Sequence, residues 1–156
     1  MSLYAIKRYL FVKLIHAVNT YLGVNIPVLA CASAIIIKDK QILVISLKGR
    51  NGYTLPGGKL RPFENFESCV KREALEETGL TIETVRHLGT YPFNLEYPTI
   101  NQTFLCKIVK GTLKKSEKGR PVWKTPEKII DQLVNGDNKK AVIDYMERLN
   151  RVNLIG

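Results

Sequence analysis

Acidic residues and cysteines are both scarce in this sequence. Asp and Glu number 14 against 24 Lys and Arg, which leaves a formal net charge of +10 over 156 residues. The three cysteines, Cys31, Cys69 and Cys106, are scattered and odd in number, so neither a disulfide framework nor a closely spaced zinc site is expected. All three lie among apolar residues and are predicted to be buried free thiols of a cytoplasmic protein.

A long uninterrupted apolar run is also missing. Residues 1–25 contain no Asp or Glu, and their apolar residues recur at helical spacing, interrupted by Lys7, Arg8 and Lys13. A membrane-spanning helix needs about 20 mostly apolar residues, and a signal peptide needs an unbroken apolar core. We therefore predict no integral membrane segment and an N-terminal amphipathic helix over 1–25. It would pack on its own domain or on a second subunit in a homodimer, or bind a membrane surface or a partner.

The remaining residues, 26–156, have the size and composition of one α+β domain. Two apolar runs, 28–37 and 41–48, flank a short polar turn and predict a hairpin of buried strands. Good helix formers from Glu64 to Thr78 end at Gly79, a typical helix stop. Further strands are predicted at 81–93 and 99–109.

The last third of the sequence is predicted from weaker signals. The stretch 107–128 is rich in Lys and Arg and contains Gly, Ser and Pro, which predicts a long basic loop. Thr125 and Pro126 are typical of a helix start with a hydroxyl cap, and Asp137 could cap a last helix. The positive charge favours anionic partners such as polyphosphates or nucleic acid.

Three glutamates share one face of the predicted helix. Glu73, Glu76 and Glu77 are spaced by three and four residues, where like charges destabilise a helix by a few tenths of a kcal/mol per pair. Gly57-Gly58 precedes the helix and could expose a backbone carbonyl oxygen. Oxygen ligands suit Mg²⁺ or Mn²⁺. Spacing alone leaves two interpretations open, a metal site and a solvated acidic helix face.

Residues 58–80, GKLRPFENFESCVKREALEETGL, resemble the signature of the Nudix hydrolases at every fixed position. The glycine, the first glutamate, the Arg-Glu pair and the Glu-Glu pair all occur at the required spacing. The small Ala74 at an apolar position is a minor departure. The resemblance implies the Nudix fold, a mixed β-sheet between helices.

The same resemblance implies an enzyme that hydrolyses a diphosphate linkage in a nucleoside diphosphate derivative or nucleoside triphosphate. Its cofactor would be Mg²⁺ or Mn²⁺, held by Glu73, Glu76, Glu77 and the Gly57 carbonyl. A diphosphate repels hydroxide, so catalysis needs cations that neutralise phosphate oxygens and lower the pKa of a water. Arg72 would hold a glutamate of the signature by a charged hydrogen bond.

Other candidate site residues lie outside the acidic face. Glu117, in the basic stretch, is a candidate base, with a solvated loop glutamate as the alternative. Lys59 and Tyr97 are candidates for binding substrate, and Tyr53 either stacks on a base or fills the core. Glu64 is expected to brace the junction between loop and helix, whereas Cys69 is expected to pack rather than react.

The sequence leaves the substrate open. The basic stretch could hold a long polyphosphate or the 5′ end of an RNA. A Nudix fold that only binds nucleotide or RNA as a regulatory module is the alternative function. The complete set of glutamates favours the enzyme, because a binding module has no need of them.

Overall fold

The computed structural model describes residues 28–94 and 98–153, together with eight scattered positions between residues 10 and 23. The predicted helix over 1–25 thus falls mostly outside the described residues and stays a prediction. No helix within the described ranges is long and apolar enough to cross a membrane.

Seven strands and three α-helices make up residues 28–94 and 98–153. In order, they are β1 (Leu29–Lys38), β2 (Gln41–Leu47), β3 (Tyr53–Thr54), β4 (Gly57–Lys59), α1 (Phe66–Thr78), β5 (Leu80–Asn94), β6 (Pro98–Gly111), β7 (Gly119–Lys124), α2 (Pro126–Ile129), a 3₁₀ turn (Ile130–Gln132) and α3 (Gly136–Asn153).

The sheet is mixed, as predicted. Its main path runs β3-β2-β1-β6-β5, with β4 paired to β1 and β7 paired to β2. Strands β1 and β6 are parallel, and the other pairs are antiparallel. The predicted hairpin of β1 and β2 is confirmed, with Asp39 and Lys40 in the left-handed conformation that tight hairpin turns require. The two strands share only two residue pairs before each turns to other partners.

Two apolar cores lie on opposite faces of this sheet. Successive side chains of a strand point to opposite faces, so Ala34 and Ile36 of β1 pack on the α1 side while Ile35 packs on the α3 side. The α1 side also buries Cys69, Cys106 and the apolar face of α1, whereas the α3 side buries Ile129 of α2, Leu133 and residues of α3. The sheet is thus covered on both faces, as the resemblance implied.

Four details differ from the sequence-based predictions. The stretch predicted as a loop contains β7, whose Pro121 is tolerated because this strand pairs only with β2. Helix α1 begins at Phe66 rather than Glu64, since the Asn65 side chain accepts a 2.8 Å hydrogen bond from the Ser68 amide. Thr125 precedes α2 but makes no side-chain cap bond. Asp137 lies inside the first turn of α3 and is buried.

Candidate active site

Helix α1 places its glutamates at the border between core and solvent. Because Cys69, Val70 and Ala74 are fully buried, the neighbouring face of the helix carries Glu77 at the edge of the core, while Glu76 faces solvent. Gly79 ends the helix in the left-handed conformation, and its amide donates to the Leu75 carbonyl. Local sequence therefore fixes both the length and the rotation of the helix.

The glycine turn touches this helix directly. Gly57 and Gly58 pair with Ser33 and Ala32 of β1 in a close antiparallel ladder. A Cβ on Gly58 would lie 2.4 Å from Oε1 of Glu73, so the missing side chain is what allows the carboxylate to approach the turn. The Gly57 amide donates a 3.0 Å hydrogen bond to Oε2 of Glu77. Turn and helix therefore form one unit.

Arg72 connects three carboxylates around this unit. Its Nε and Nη2 each lie 2.8 Å from an oxygen of Glu64, and its Nη1 donates to Glu73 at 2.6 Å and to Glu76 at 3.3 Å. The Glu64 carboxylate also accepts from the Arg61 amide. The Arg72 hydrogen bond, helped by this amide, lowers the pKa of Glu64 to about 2. Glu64 thus braces the start of the helix through Arg72.

Lys118 places a second basic side chain, after Arg72, at the other side of the site. Its Nζ donates to the Gly57 carbonyl oxygen at 2.8 Å and to Oε1 of Glu77 at 2.6 Å. Burial raises the pKa of the Glu77 carboxyl, while the neighbouring ammonium opposes that rise. A backbone carbonyl and a carboxylate therefore jointly hold one positive charge.

The predicted ligand set suits a hard divalent cation in its chemistry. In the described part of the chain, no three acidic, histidine or cysteine side chains converge as a ready metal cluster. Each of the three glutamates instead faces a basic side chain, and Arg61 also pairs with Glu76. The donors are all oxygen, as Mg²⁺ prefers, and two of them already share a cation in the form of the Lys118 ammonium. The residues present fit such an ion.

A cavity of about 180 Å³ opens beside the glycine turn. Asn101 of β6 donates to the Ser33 hydroxyl at 2.9 Å and to Oδ2 of Asp137 at 2.7 Å. The remaining oxygen of each, Oδ1 of Asn101 and of Asp137, is buried and has no protein partner. Burial raises the pKa of the Asp137 carboxyl. Unpartnered buried oxygens are costly, so each of these two atoms has an unused acceptor position beside the cavity.

The other predicted site residues are more dispersed. Lys59 lines the same cavity and has an exposed side chain. Tyr53 is half-buried, packs against the core on the α3 side and lies below the Lys124 ammonium at 5.5 Å. Glu117 is exposed and directly precedes Lys118. Tyr97 lies outside the described residues.

The prediction of buried free thiols is confirmed for all three cysteines. Cys69 has no exposed surface, and burial raises the pKa of its thiol to about 12. A thiol in that state is a poor nucleophile, in keeping with the expected packing role.

Sequence reasoning missed three residues of this site. Lys118 is one of eight basic residues in the stretch predicted as a loop, and no local signal distinguishes it from the others. Asn101 carried no local signal, and Asp137 had been assigned to a helix cap. All three reach the site through contacts between distant parts of the chain.

Comparisons with known proteins agree with this architecture. The model of the NUDIX domain family matches residues 28–143. An NAD-capped RNA hydrolase NudC from Vibrio cholerae is 32% identical over 119 residues, which are 73% of this chain and 44% of the relative. An ADP-ribose pyrophosphatase from Methanocaldococcus jannaschii is 31% identical over 122 residues, 74% of this chain and 72% of that relative. The chain thus spans less than half the length of the Vibrio relative.

A solved structure gives the same result for the fold. The MutT protein from Methanosarcina mazei Go1 is similar with a TM-score of 0.67 and 28% identity, over 83% of this chain and 98% of that one. The family match covers the glycine turn, helix α1, the cavity and both cationic contacts described above. The chain belongs to the Nudix family.

Proposed function

We propose that this enzyme hydrolyses a diphosphate linkage in a nucleoside diphosphate derivative or a nucleoside triphosphate, with Mg²⁺ or Mn²⁺ as cofactor. The observation that carries the proposal is the shared cation position between the Gly57 carbonyl and Glu77. It lies at the end of the acidic face of α1 and beside the cavity that Asn101 and Asp137 line. Such a substrate has an anionic phosphate chain, which suits the cation position, and a polar nucleoside, which suits the neighbouring cavity.

The residues of the site have different proposed roles. Glu73, Glu76, Glu77 and the Gly57 carbonyl would hold the metal, which when bound neutralises phosphate oxygens and lowers the pKa of a water. Arg72 keeps the carboxylates in a common orientation through its contacts with Glu73 and Glu76. A positioned carboxylate must also take a proton from the attacking water.

The base in that step is Glu73 or Glu117. Glu73 is held against the glycine turn, whereas Glu117 lies on the loop that also carries Lys118. A variant at each position, compared by the pH dependence of kcat, separates the two, because loss of the base removes the acidic limb of the profile.

The cavity is the proposed binding site for the nucleoside end. The free oxygens of Asn101 and Asp137 can accept hydrogen bonds from a base or a sugar, and the exposed Lys59 ammonium at the rim can pair with a phosphate. The names of the relatives add NAD-capped RNA and ADP-ribose to the substrates worth testing.

A substrate panel with Mg²⁺ tests the proposal. It should contain nucleoside triphosphates including oxidised ones, ADP-ribose, NADH, diadenosine polyphosphates, 5′-triphosphate RNA and NAD-capped RNA. We expect hydrolysis of at least one compound, its loss on chelation of the metal, and its restoration by Mg²⁺ or Mn²⁺. Hydrolysis of none, together with measurable nucleotide binding, would contradict the proposal and favour a regulatory binding module.

A further inference from the structure

Lys118 is held more firmly than a surface lysine. Its ammonium makes two short hydrogen bonds, to the Gly57 carbonyl oxygen at 2.8 Å and to Glu77 at 2.6 Å. The side chain of Glu77 is only 11% exposed, and that of Lys118 is 32% exposed. Charged hydrogen bonds in such a partly buried place are stronger than those of exposed ion pairs.

The backbone below this side chain is also fixed. The Lys118 carbonyl accepts a 3.0 Å hydrogen bond from the Lys48 amide, and the Ser116 amide donates to the Gly119 carbonyl at 3.0 Å. Gly119 is packed so tightly on β2 that a Cβ there would lie 2.0 Å from the Ser46 carbonyl oxygen. The backbone at Lys118 is therefore held in place, and this fixes the point from which its side chain reaches the glycine turn.

We propose that Lys118 is a built-in competitor of the divalent cation. The inference rests on the proposed function, which assigns the Gly57 carbonyl and Glu77 to the metal. An ammonium and a divalent ion cannot share the same two oxygens, because like charges at a few ångströms repel strongly. Lys118 must therefore leave this position before the cation can bind there.

The exchange has a physical benefit for the protein. A buried carboxylate without a counter-charge is costly, so Lys118 stabilises Glu77 until a metal replaces it. The apparent affinity for the metal is then the intrinsic affinity multiplied by the fraction of molecules in which the ammonium has left the position. After the exchange the tethered ammonium stays near the site, where the anionic phosphates of a substrate offer it a new partner.

Binding of Mn²⁺ alone, without nucleotide, tests this competition. The free Mn²⁺ signal in electron paramagnetic resonance should show that Lys118→Met binds Mn²⁺ about tenfold more tightly than the unsubstituted protein. Lys115→Met is the matched control, because this exposed lysine of the same loop makes no ion pair among the described residues. It removes the same charge and should change the affinity by less than about twofold.

The two variants separate the possible outcomes. Unchanged or weaker Mn²⁺ binding by folded Lys118→Met would overturn the proposal, since it would show that Lys118 supports the site instead of competing for it. Lys118→Gln, which keeps a hydrogen-bond donor but not the charge, replaces the methionine variant if that does not fold. If the unsubstituted protein and both Lys118 variants all fail to bind Mn²⁺, the metal site and with it the proposed function fail. Binding by the unsubstituted protein without tightening in the variants refutes the competition alone.

Discussion

Arg72 and Glu64 are joined by two hydrogen bonds of 2.8 Å, one from Nε and one from Nη2 of the guanidinium. A lysine cannot reproduce this fork or reach Glu73 at the same time. We expect Arg72→Lys to lower kcat by about 10- to 100-fold, as the loss of groups that orient metal ligands typically does. Steady-state kinetics on the substrate identified in the panel measure this.

The pH dependence of stability checks the same pair independently. The pKa of Glu64 is lowered to about 2 from its ordinary 4.5, so the stability that it contributes is present above pH 4.5 and is lost as the pH falls towards 2. Arg72→Lys should weaken this loss, whereas Arg120→Lys, on an exposed position of β7, should leave both stability and kcat unchanged. Equal effects of the two variants would contradict the assigned role.

Glu76→Gln and Glu77→Gln should each lower turnover by about two orders of magnitude or more, because an amide oxygen binds a divalent cation more weakly than a carboxylate does. Circular dichroism should show an intact fold in both. Glu67→Gln is the control on the same helix, where Glu67 is exposed and pairs with Thr84 and Lys71. Undiminished Mg²⁺-dependent hydrolysis in both test variants would refute the assignment.

The two glycines of the turn should respond differently to alanine. At Gly58, the three atoms nearest to the new Cβ all belong to the movable carboxylate of Glu73, the closest at 2.4 Å, so the carboxylate is displaced and activity falls while the fold persists. At Gly57, the Cβ meets the Ala32 carbonyl oxygen at 2.3 Å and the Ser33 Cα at 2.7 Å. Backbone cannot move as freely, so Gly57→Ala should lower the free energy of unfolding by about 1–3 kcal/mol.

Thermal unfolding and activity measured on both glycine variants separate these effects. Gly136→Ala is a suitable control, because a Cβ there has no neighbour within 4 Å. A Gly58→Ala variant as unstable as Gly57→Ala would show that the carboxylate of Glu73 is held rigidly.

Features that depend on neighbouring residues were predictable from the sequence. The turn at Asp39 and Lys40, the presence of helix α1 and its stop at Gly79 all follow from local apolar spacing and backbone preference. Strand β7 was missed because Gly119 and Pro121 indicate a loop locally. Its stability comes from pairing with β2, a segment more than 70 residues earlier.

Only part of the candidate site could be predicted from the sequence. The glutamates and the glycine turn share one short stretch, whose pattern is visible in the sequence. The contact between Lys118 and Gly57 spans 61 residues, and that between Asn101 and Asp137 spans 36. Such contacts depend on how the strands are arranged, which no local pattern records. The structure therefore adds the cation position and the cavity.

The buried cysteines should be unreactive in the folded protein. Burial raises the pKa of Cys69 and of Cys106 from 9.0 to about 12, so at pH 8 their thiolate fraction is lower by roughly a thousandfold. Ellman's reagent should label neither thiol at pH 8 until denaturant is added, when all three cysteines react.

The same raised thiol pKa values predict how the stability of the protein changes at alkaline pH. Both thiols stay protonated in the folded state while the unfolded chain releases its protons, so stability is complete below pH 9 and falls between pH 9 and 12. Cys106→Ala should reduce this alkaline loss. Rapid native labelling of either cysteine would contradict the burial that underlies both expectations.

Asp137→Asn tests the cavity as the binding site of the nucleoside. Asparagine keeps the size of the side chain and an oxygen that can accept the hydrogen bond from Asn101, but it changes the group at the free Oδ1 position. We expect kcat/KM for the preferred nucleotide to fall by about 10- to 100-fold and the ranking of the bases to change, because a site built to hydrogen-bond one group discriminates strongly against another. Rates for four nucleotides that differ only in the base measure this.

The Mn²⁺ affinity and a control variant distinguish a defect in recognition of the nucleoside from a general loss of activity. Asp137 hydrogen-bonds with Asn101 and is not one of the proposed metal ligands, so its substitution should leave the Mn²⁺ affinity unchanged. Asp131→Asn, an exposed acid of the 3₁₀ turn that pairs with Lys139, should affect neither rate nor ranking. If Asp137→Asn slows all four nucleotides by the same factor, its oxygen does not read the base, and the cavity must receive the sugar or another part of the substrate.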